Sequence, residues 1–243
     1  MPRSAAALLI GNELLSGKIR DTNLQALAAR LRALGVQLCR AVTVLDDVDT
    51  IAAEVRALRA SHDWLFTSGG VGPTHDDVTM AAVAAAFGQT VVSDPDLERI
   101  IRGHFGPRTS EGHLAMARIP AGAQLRYAPG LDWPAVTVDN VWVLPGLPEA
   151  FVEKLDVVAL HLGASAPFLS RAVYTRLDEG TLKPHLDAVV ALFPGVEIGS
   201  YPTWSDPSYH VKLTFDGTSP ALLDEAVRAF VARLPEGAAL RIE

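Results

Sequence analysis

Residues 67 to 77, Thr-Ser-Gly-Gly-Val-Gly-Pro-Thr-His-Asp-Asp, combine side chains that could hold a phosphate and a cation together. Gly69, Gly70 and Gly72 lack a Cβ and let the backbone approach a bulky anion, and the Ser68 and Thr74 hydroxyls can donate to it. Asp76 and Asp77 are hard oxygen ligands of the type Mg²⁺ prefers when it bridges a carboxylate and a phosphate. The same residues also describe an ordinary turn leading into a capped helix, in which either aspartate accepts from the first helical amides.

A second polar loop, Gly11 to Asn23, contains Asn12, Glu13, Ser16, Gly17, Lys18, Arg20 and Asp21. Lys18 and Arg20 are its cations, and Lys18 is the candidate to close over a phosphate together with Ser16 and Gly17. Asp46-Asp47 form a third polar site, with a helix cap as the alternative role. Pro145-Gly146 with Glu149 form a fourth, and His75 is a candidate for proton transfer that has many plainer uses.

Each of these loops follows an apolar, strand-like run and precedes a helical one. Residues 5–10, 36–45, 64–66 and 141–144 read as strands; 78–87, 50–59 and 150–160 read as helices. Thr22 and Gln25 match a capping box ahead of a helix whose face carries Leu24, Leu27, Ala28, Leu31 and Leu34. In a mostly parallel α/β sheet such loops gather at the carboxyl ends of the strands, where ligands of that architecture bind. Residues 94–118 read as a helix interrupted by glycines, and 135–138 pairs with 141–144 through Asp139-Asn140.

Residues 162–167, Leu-Gly-Ala-Ser-Ala-Pro, read as a linker. Beyond it the order strand 169–177, helix 179–193, strands 196–201 and 209–215, helix 220–234 and strand 238–242 is that of a ferredoxin-like unit. The expected domains are therefore an α/β domain over 1–163 and a small α+β ferredoxin-like domain over 168–243. In the second, Trp204 either packs on its own sheet or forms an interface.

A chain of 243 residues with 49% hydrophobic content can bury a substantial core. Its net charge of −7 and pI near 5.5 argue against a nucleic-acid surface. Cys39, the one cysteine, excludes a disulfide framework and reads as a buried bystander. His185 and His210 are isolated, and no histidine pair has zinc-ligand spacing. No stretch has the length of a secretory signal or membrane span, so the expected location is cytoplasmic, with no membrane partner.

The motifs Leu9-Ile10-Gly11-Asn12-Glu13-Leu14-Leu15-Ser16-Gly17 with Asp21-Thr22-Asn23, and Ser68 to Thr79, resemble those of the molybdopterin-binding-domain superfamily. The resemblance is to the N-terminal domain of the competence/damage-inducible protein A family. Asn140 to Pro148 and Ile198 to Pro202 resemble the molybdopterin-binding portion of eukaryotic-type FAD synthases. Together these similarities cover nearly the whole chain and imply a three-layer molybdopterin-binding-like first domain.

For function, the resemblance implies divalent-metal-dependent hydrolysis of a nucleotide pyrophosphate such as ADP-ribose or FAD. Asp46, Asp76 and Asp77 would be the metal ligands and, with Lys18, the catalytic groups. Gly11, Asn12, Glu13, Ser16, Gly17, Asp21, Asn23, Ser68, Gly69, Gly70, Gly72, Pro73, Thr74, Pro145 and Gly146 would line the phosphate or nucleotide pocket. More distant relatives imply the alternative of molybdopterin binding or adenylylation; Asp46 and Asp77 match their important carboxylates, while Asp76 stands where they tend to have arginine. A non-catalytic nucleotide-binding subunit is the third reading. The expected cofactor is Mg²⁺ or another divalent metal, with molybdopterin as a possible ligand and a small-molecule nucleotide or pterin phosphate as partner. Self-association as a dimer or trimer is implied, and FAD is not expected to be made by this chain alone, which reaches residue 243 without an adenylyl-transferring domain.

Overall fold

The computed structural model describes residues 3–163 and 165–243, so Ala164 of the expected linker lies outside it. Along the first strand, β1 (Arg3–Ile10), side chains alternate between two cores. Ala6, Leu8 and Ile10 enter one and Ala5 and Ala7 the other, all at most 2% exposed. A parallel strand covered by helices on both faces needs apolar residues at every position, hence the unbroken run Ala5 to Ile10.

The chain continues through α1 (Asn12–Leu15), α2 (Asn23–Ala33), β2 (Val36–Val44), α3 (Val48–Ser61), β3 (Trp64–Ser68) and α4 (Thr79–Ala86). Next come β4 (Val91–Ser93), α5 (Pro95–Phe105), α6 (Glu111–Ala115), β5 (Arg118–Pro120) and β6 (Gln124–Arg126). The hairpin β7 (Ala135–Val138) and β8 (Val141–Leu144) leads into α7 (Pro148–Leu162). The main sheet has the order β2-β1-β3-β8-β7-β6, parallel from β2 to β8 and antiparallel beyond. Ile51 and Val55 of α3, Val83 of α4 and Leu97 of α5 pack on one face; Leu27 and Leu31 of α2 and Phe151 and Leu155 of α7 pack on the other. The result is the expected three-layer α/β/α sandwich.

The chain divides into two compact units, Met1–Ser165 and Ala166–Glu243. The second contains β9 (Leu169–Thr175), α8 (Glu179–Leu192), β10 (Glu197–Pro202), β11 (Val211–Gly217), α9 (Pro220–Val231) and β12 (Ala239–Ile242). Its sheet, β10-β11-β9-β12, is antiparallel throughout and has the ferredoxin-like strand order. Val173, Leu213 and Phe215 on one sheet face meet Leu182 and Val189 of α8 and Leu223 and Phe230 of α9. No helix among the described residues is long and apolar enough to cross a membrane.

Four expectations are corrected. Residues 94–118 are not one helix: α5 gives way to a 3-10 turn at Gly106–Arg108 and to α6, and Arg118–Pro120 pairs antiparallel with β4. Thr22 makes no capping box; Asp21 Oδ2 accepts from Leu24 N at 3.0 Å instead, one position earlier. Cys39 is exposed rather than buried, because the β1–β2 register skips it, pairing Leu38 with Ala5 and Arg40 with Ala6 on an edge strand. Trp204 does not pack on its own sheet: it is wholly exposed in the β10–β11 loop, which Thr203 N and His210 O close at 2.8 Å.

The starts of β1 and β3 are clasped by Asp63, whose Oδ2 accepts from Ser4 N (2.7 Å) and Ser4 Oγ (2.9 Å). These bonds, led by the backbone one, hold the Asp63 carboxyl below the usual carboxylate range. A pKa depressed on folding stabilises the folded state above the unfolded value, about 3.9, and that stability is lost as pH falls through the folded value. Asp63→Asn should therefore lower Tm by about 2 °C near pH 7, with the gap to wild type closing below about pH 4. A gap that persists unchanged into acid would show that charge on Asp63 contributes nothing.

Candidate functional site

The carboxyl ends of the parallel strands β1, β3 and β8 open on one edge of the main sheet, and their loops are tied to one another. Asn23, at the start of α2 and 4% exposed, donates through Nδ2 to Ser68 Oγ (2.9 Å) and to the Gly146 carbonyl (2.8 Å). One buried amide thus joins the loop after β1 to the ends of β3 and β8. Ser68 Oγ in turn reaches the Pro145 carbonyl at 3.5 Å, and Gly69 N donates to Leu144 O at 3.2 Å. Gly146 approaches so closely that a Cβ there would stand 3.1 Å from Gly69 Cα.

Asn23→Ala would strand the Gly146 carbonyl and the Ser68 hydroxyl. It should cost about 1–3 kcal/mol in denaturant unfolding of the first unit. A loss under about 0.5 kcal/mol would mean that water replaces the amide freely and that Asn23 is no clasp.

The third loop is tied to the first. Asn12 N donates to Asp46 Oδ2 at 2.8 Å, and Asp46 N returns a bond to Asn12 Oδ1 at 3.4 Å. Asp47 takes the capping role: its carboxylate accepts from Thr50 N at 2.8 Å, and hydrogen bonding to Thr50 holds its pKa below the usual range.

After β3 the chain turns sharply. Gly69 has φ +106°, and Thr79 fastens the turn by donating from Oγ1 to Gly69 O (2.8 Å) and from its amide to Gly70 O (2.9 Å). Asp77 closes the loop on itself, Oδ2 accepting from Thr74 N at 2.8 Å. Neither aspartate caps α4, which begins after Val78 without a side-chain cap bond. Thr74 Oγ1 stands 2.6 Å from both Asp76 Oδ1 and Asp77 Oδ2. A hydroxyl has one proton and can donate to only one of them at a time. Hydrogen bonding to Thr74 is the main reason the Asp76 carboxyl titrates below the usual range.

Two clefts flank the end of β3. The first, about 250 Å³, is lined by Gly70, Gly72, Pro73, Thr74 and Asp77 together with Met80, Met116 and Arg118. The second, about 260 Å³, is lined by Glu13, Arg20, Asp21, Asn23, Ser68 and Gly146, with Ile10, Leu14, Ile19, Leu147 and Pro148 as its apolar lining. The glycine loop and the first polar loop therefore serve adjacent clefts.

Other expected site residues stand apart. Ser16, Gly17 and Lys18 line neither cleft, and Ser16 Oγ turns back to Glu13 O at 3.3 Å. Gly11 lies beneath the Glu13 carboxylate. Glu149 is exposed in the first turn of α7, and the His75 side chain is 97% exposed, 3.9 Å from Asp76. Asp46, Asp76 and Asp77 do not form one cluster: among the described residues no group of three or more His, Cys, Asp or Glu is placed to hold a metal ion.

Sequence reasoning missed Arg118, Met80 and Met116. The helical reading of 94–118 hid the strand that projects Arg118, and three residues are too few to display a period of two.

The model for the probable molybdopterin binding domain matches residues 6–169, two thirds of the chain and the whole of this site. The chain belongs to the molybdopterin-binding-domain family. The model for the FAD synthase middle domain matches residues 167–243, the second unit. A probable FAD synthase of Caenorhabditis briggsae is 32% identical over 97% of this chain, which corresponds to 50% of that relative. The chain thus spans about half the length of the first curated relatives it matches. A protein of Thermococcus kodakarensis is 36% identical over 82% of this chain and 85% of its own length. Among solved structures, the CinA protein of Thermoplasma acidophilum, described as of unknown function, is similar to 67% of this chain and 99% of its own, at 29% identity and a TM-score of 0.61. For this molybdopterin-binding-domain protein the strand-end loops therefore lie in the region shared with its relatives.

Proposed function

We propose that the first unit binds a phosphorylated heteroaromatic ligand of the molybdopterin type and serves a binding or adenylyl-transfer step in molybdenum cofactor biosynthesis. The observation that carries this reading is the pair of clefts at the ends of β1, β3 and β8. One is glycine-lined and one has an apolar wall with buried amide and hydroxyl groups at its base. A flat pterin ring suits the second, with Asn23 and Ser68 at its polar edge and Leu147 and Pro148 against its face. A phosphate suits the first, where the Gly70–Thr74 backbone leaves room for an anion.

A divalent cation fits between these parts. Asp76 and Asp77 both press on the Thr74 hydroxyl, and its single proton cannot serve both, so a cation there would relieve the second contact. Two carboxylates with phosphate oxygens and water completing the shell is a common Mg²⁺ arrangement. When bound, the ion neutralises phosphate charge and polarises the phosphoryl group. Asp46, which holds the Asn12 amide, acts on the loop rather than on the ion in this reading.

The same carboxylate pair favours a second reading, metal-dependent hydrolysis of a nucleotide pyrophosphate such as ADP-ribose or FAD. One experiment separates the two. The protein is incubated with molybdopterin, with molybdopterin and ATP, with ADP-ribose and with FAD, each with and without Mg²⁺, and products are read by mass spectrometry. Retained or adenylylated molybdopterin is the expected result; cleavage of ADP-ribose or FAD with no retention of the pterin would overturn the proposal in favour of the hydrolase.

A further inference from the structure

The glycine-lined cleft has a cation that its loop motif does not supply. Arg118 lies in β5, where Ala117 and Ile119 on either side of it are buried at 0% and 2% exposure. Alternation along the strand turns the Arg118 side chain away from that core, and Arg118 lines the same cleft as Gly70, Gly72 and Thr74. Its backbone is fixed by pairing of Arg118 with Ser93 and by the bond from Asp94 N to Ala117 O at 2.9 Å. Among the described residues Arg118 is the one Lys, Arg or His that lines this cleft, and its guanidinium has no hydrogen-bond or ion-pair partner. Asp77 lines the same space without pairing to it. By contrast, Arg30, Arg59, Arg99 and Arg171 each hold a carboxylate.

We propose that Arg118 is the phosphate-recognising residue of this site, gripping the ligand's phosphate together with the Gly70–Thr74 backbone. This rests on the reading that the glycine loop binds phosphate, and it deepens that reading by fixing the ligand's direction. The phosphate enters the cleft of Arg118 and the ring enters the cleft of Asn23 and Ser68. A guanidinium offers two parallel donors to a phosphate, so geometry as well as charge enters the recognition. Arg118 is solvent-exposed, so its guanidinium is open to an incoming anion, and Met80 and Met116 line the same cleft.

The test uses the full chain and calorimetric titration with inorganic pyrophosphate, ADP and adenosine, in the presence of Mg²⁺. Wild type is expected to favour ADP over adenosine. Arg118→Gln should weaken ADP and pyrophosphate about tenfold or more while leaving adenosine and Tm unchanged, and Arg118→Lys should recover only part of the loss. An Arg118→Gln protein that binds ADP as wild type does would overturn the role of Arg118 and leave the phosphate reading of the loop standing. A wild type that does not distinguish ADP from adenosine, or binds neither ADP nor pyrophosphate, would sink the loop reading and this inference together. A loss seen in Arg20→Gln and not in Arg118→Gln would place the phosphate in the other cleft and reverse the direction assigned here.

Discussion

Gly69→Ala is expected to unfold the first unit or rebuild its ligand edge, at a cost of about 3 kcal/mol or more. Gly69 stands at φ +106°, outside the range of L side chains, and a Cβ there would be driven into the Ile10 carbonyl oxygen. The obstacle is backbone of the neighbouring parallel strand, whose bonds to β2 and β3 prevent it from moving aside. Gly17→Ala supplies the contrast. Gly17 also has positive φ, +72°, but nothing lies within 4 Å of a Cβ built on it, so only the conformational cost of about 1 kcal/mol remains. Chemical denaturation of the two variants isolates the steric part. Equal losses would show that the contact between Gly69 and Ile10 is not what the fold depends on.

Asp77→Ala should leave Tm close to wild type and reduce affinity for the phosphorylated ligand about 100-fold. The carboxylate is partly exposed and stands outside the hydrophobic core cluster, so the core does not feel its removal. The loop does. Thr74 N loses its acceptor, and Gly72, packed so tightly that a Cβ would stand 2.7 Å from Asp77 Oδ2, loses its support. Two charge-assisted bonds and the ordering of the loop together account for an effect of this size. Asp77→Asn separates scaffold from charge: its amide oxygen can still accept from Thr74 N, but it cannot hold a cation as strongly. The expected result is retained metal-free binding without the enhancement that Mg²⁺ brings. Wild-type affinity and full Mg²⁺ response in both variants would remove Asp77 from the site.

These outcomes depend on different levels of the chain's organisation. The apolar run Ala5 to Ile10, the strand-like runs ending at Leu45, Phe66 and Leu144, and the loops that follow them are local patterns. Local patterns are legible because side-chain period and turn chemistry act between near neighbours. The clustering of those loops at one edge also follows, since parallel strands share a direction. The acidic residues were legible as types but not in their partners. Asp47 caps α3, Asp46 holds Asn12, and Asp77 closes its own loop, although all three precede helices in similar contexts.

The residue types of the glycine loop and the order of strands and helices outside residues 91–126 were decided by the sequence alone, because glycine conformation and apolar periodicity are properties of a few consecutive residues. Tertiary structure alone decided that Asn23 clasps Ser68 and Gly146, that Cys39 is turned outward by a register shift, and that Arg118 shares a cleft with a loop more than 40 residues away. Each of these depends on which strands become neighbours and in what register. That choice is made by the burial of two whole sheet faces at once, and no short window of sequence contains it.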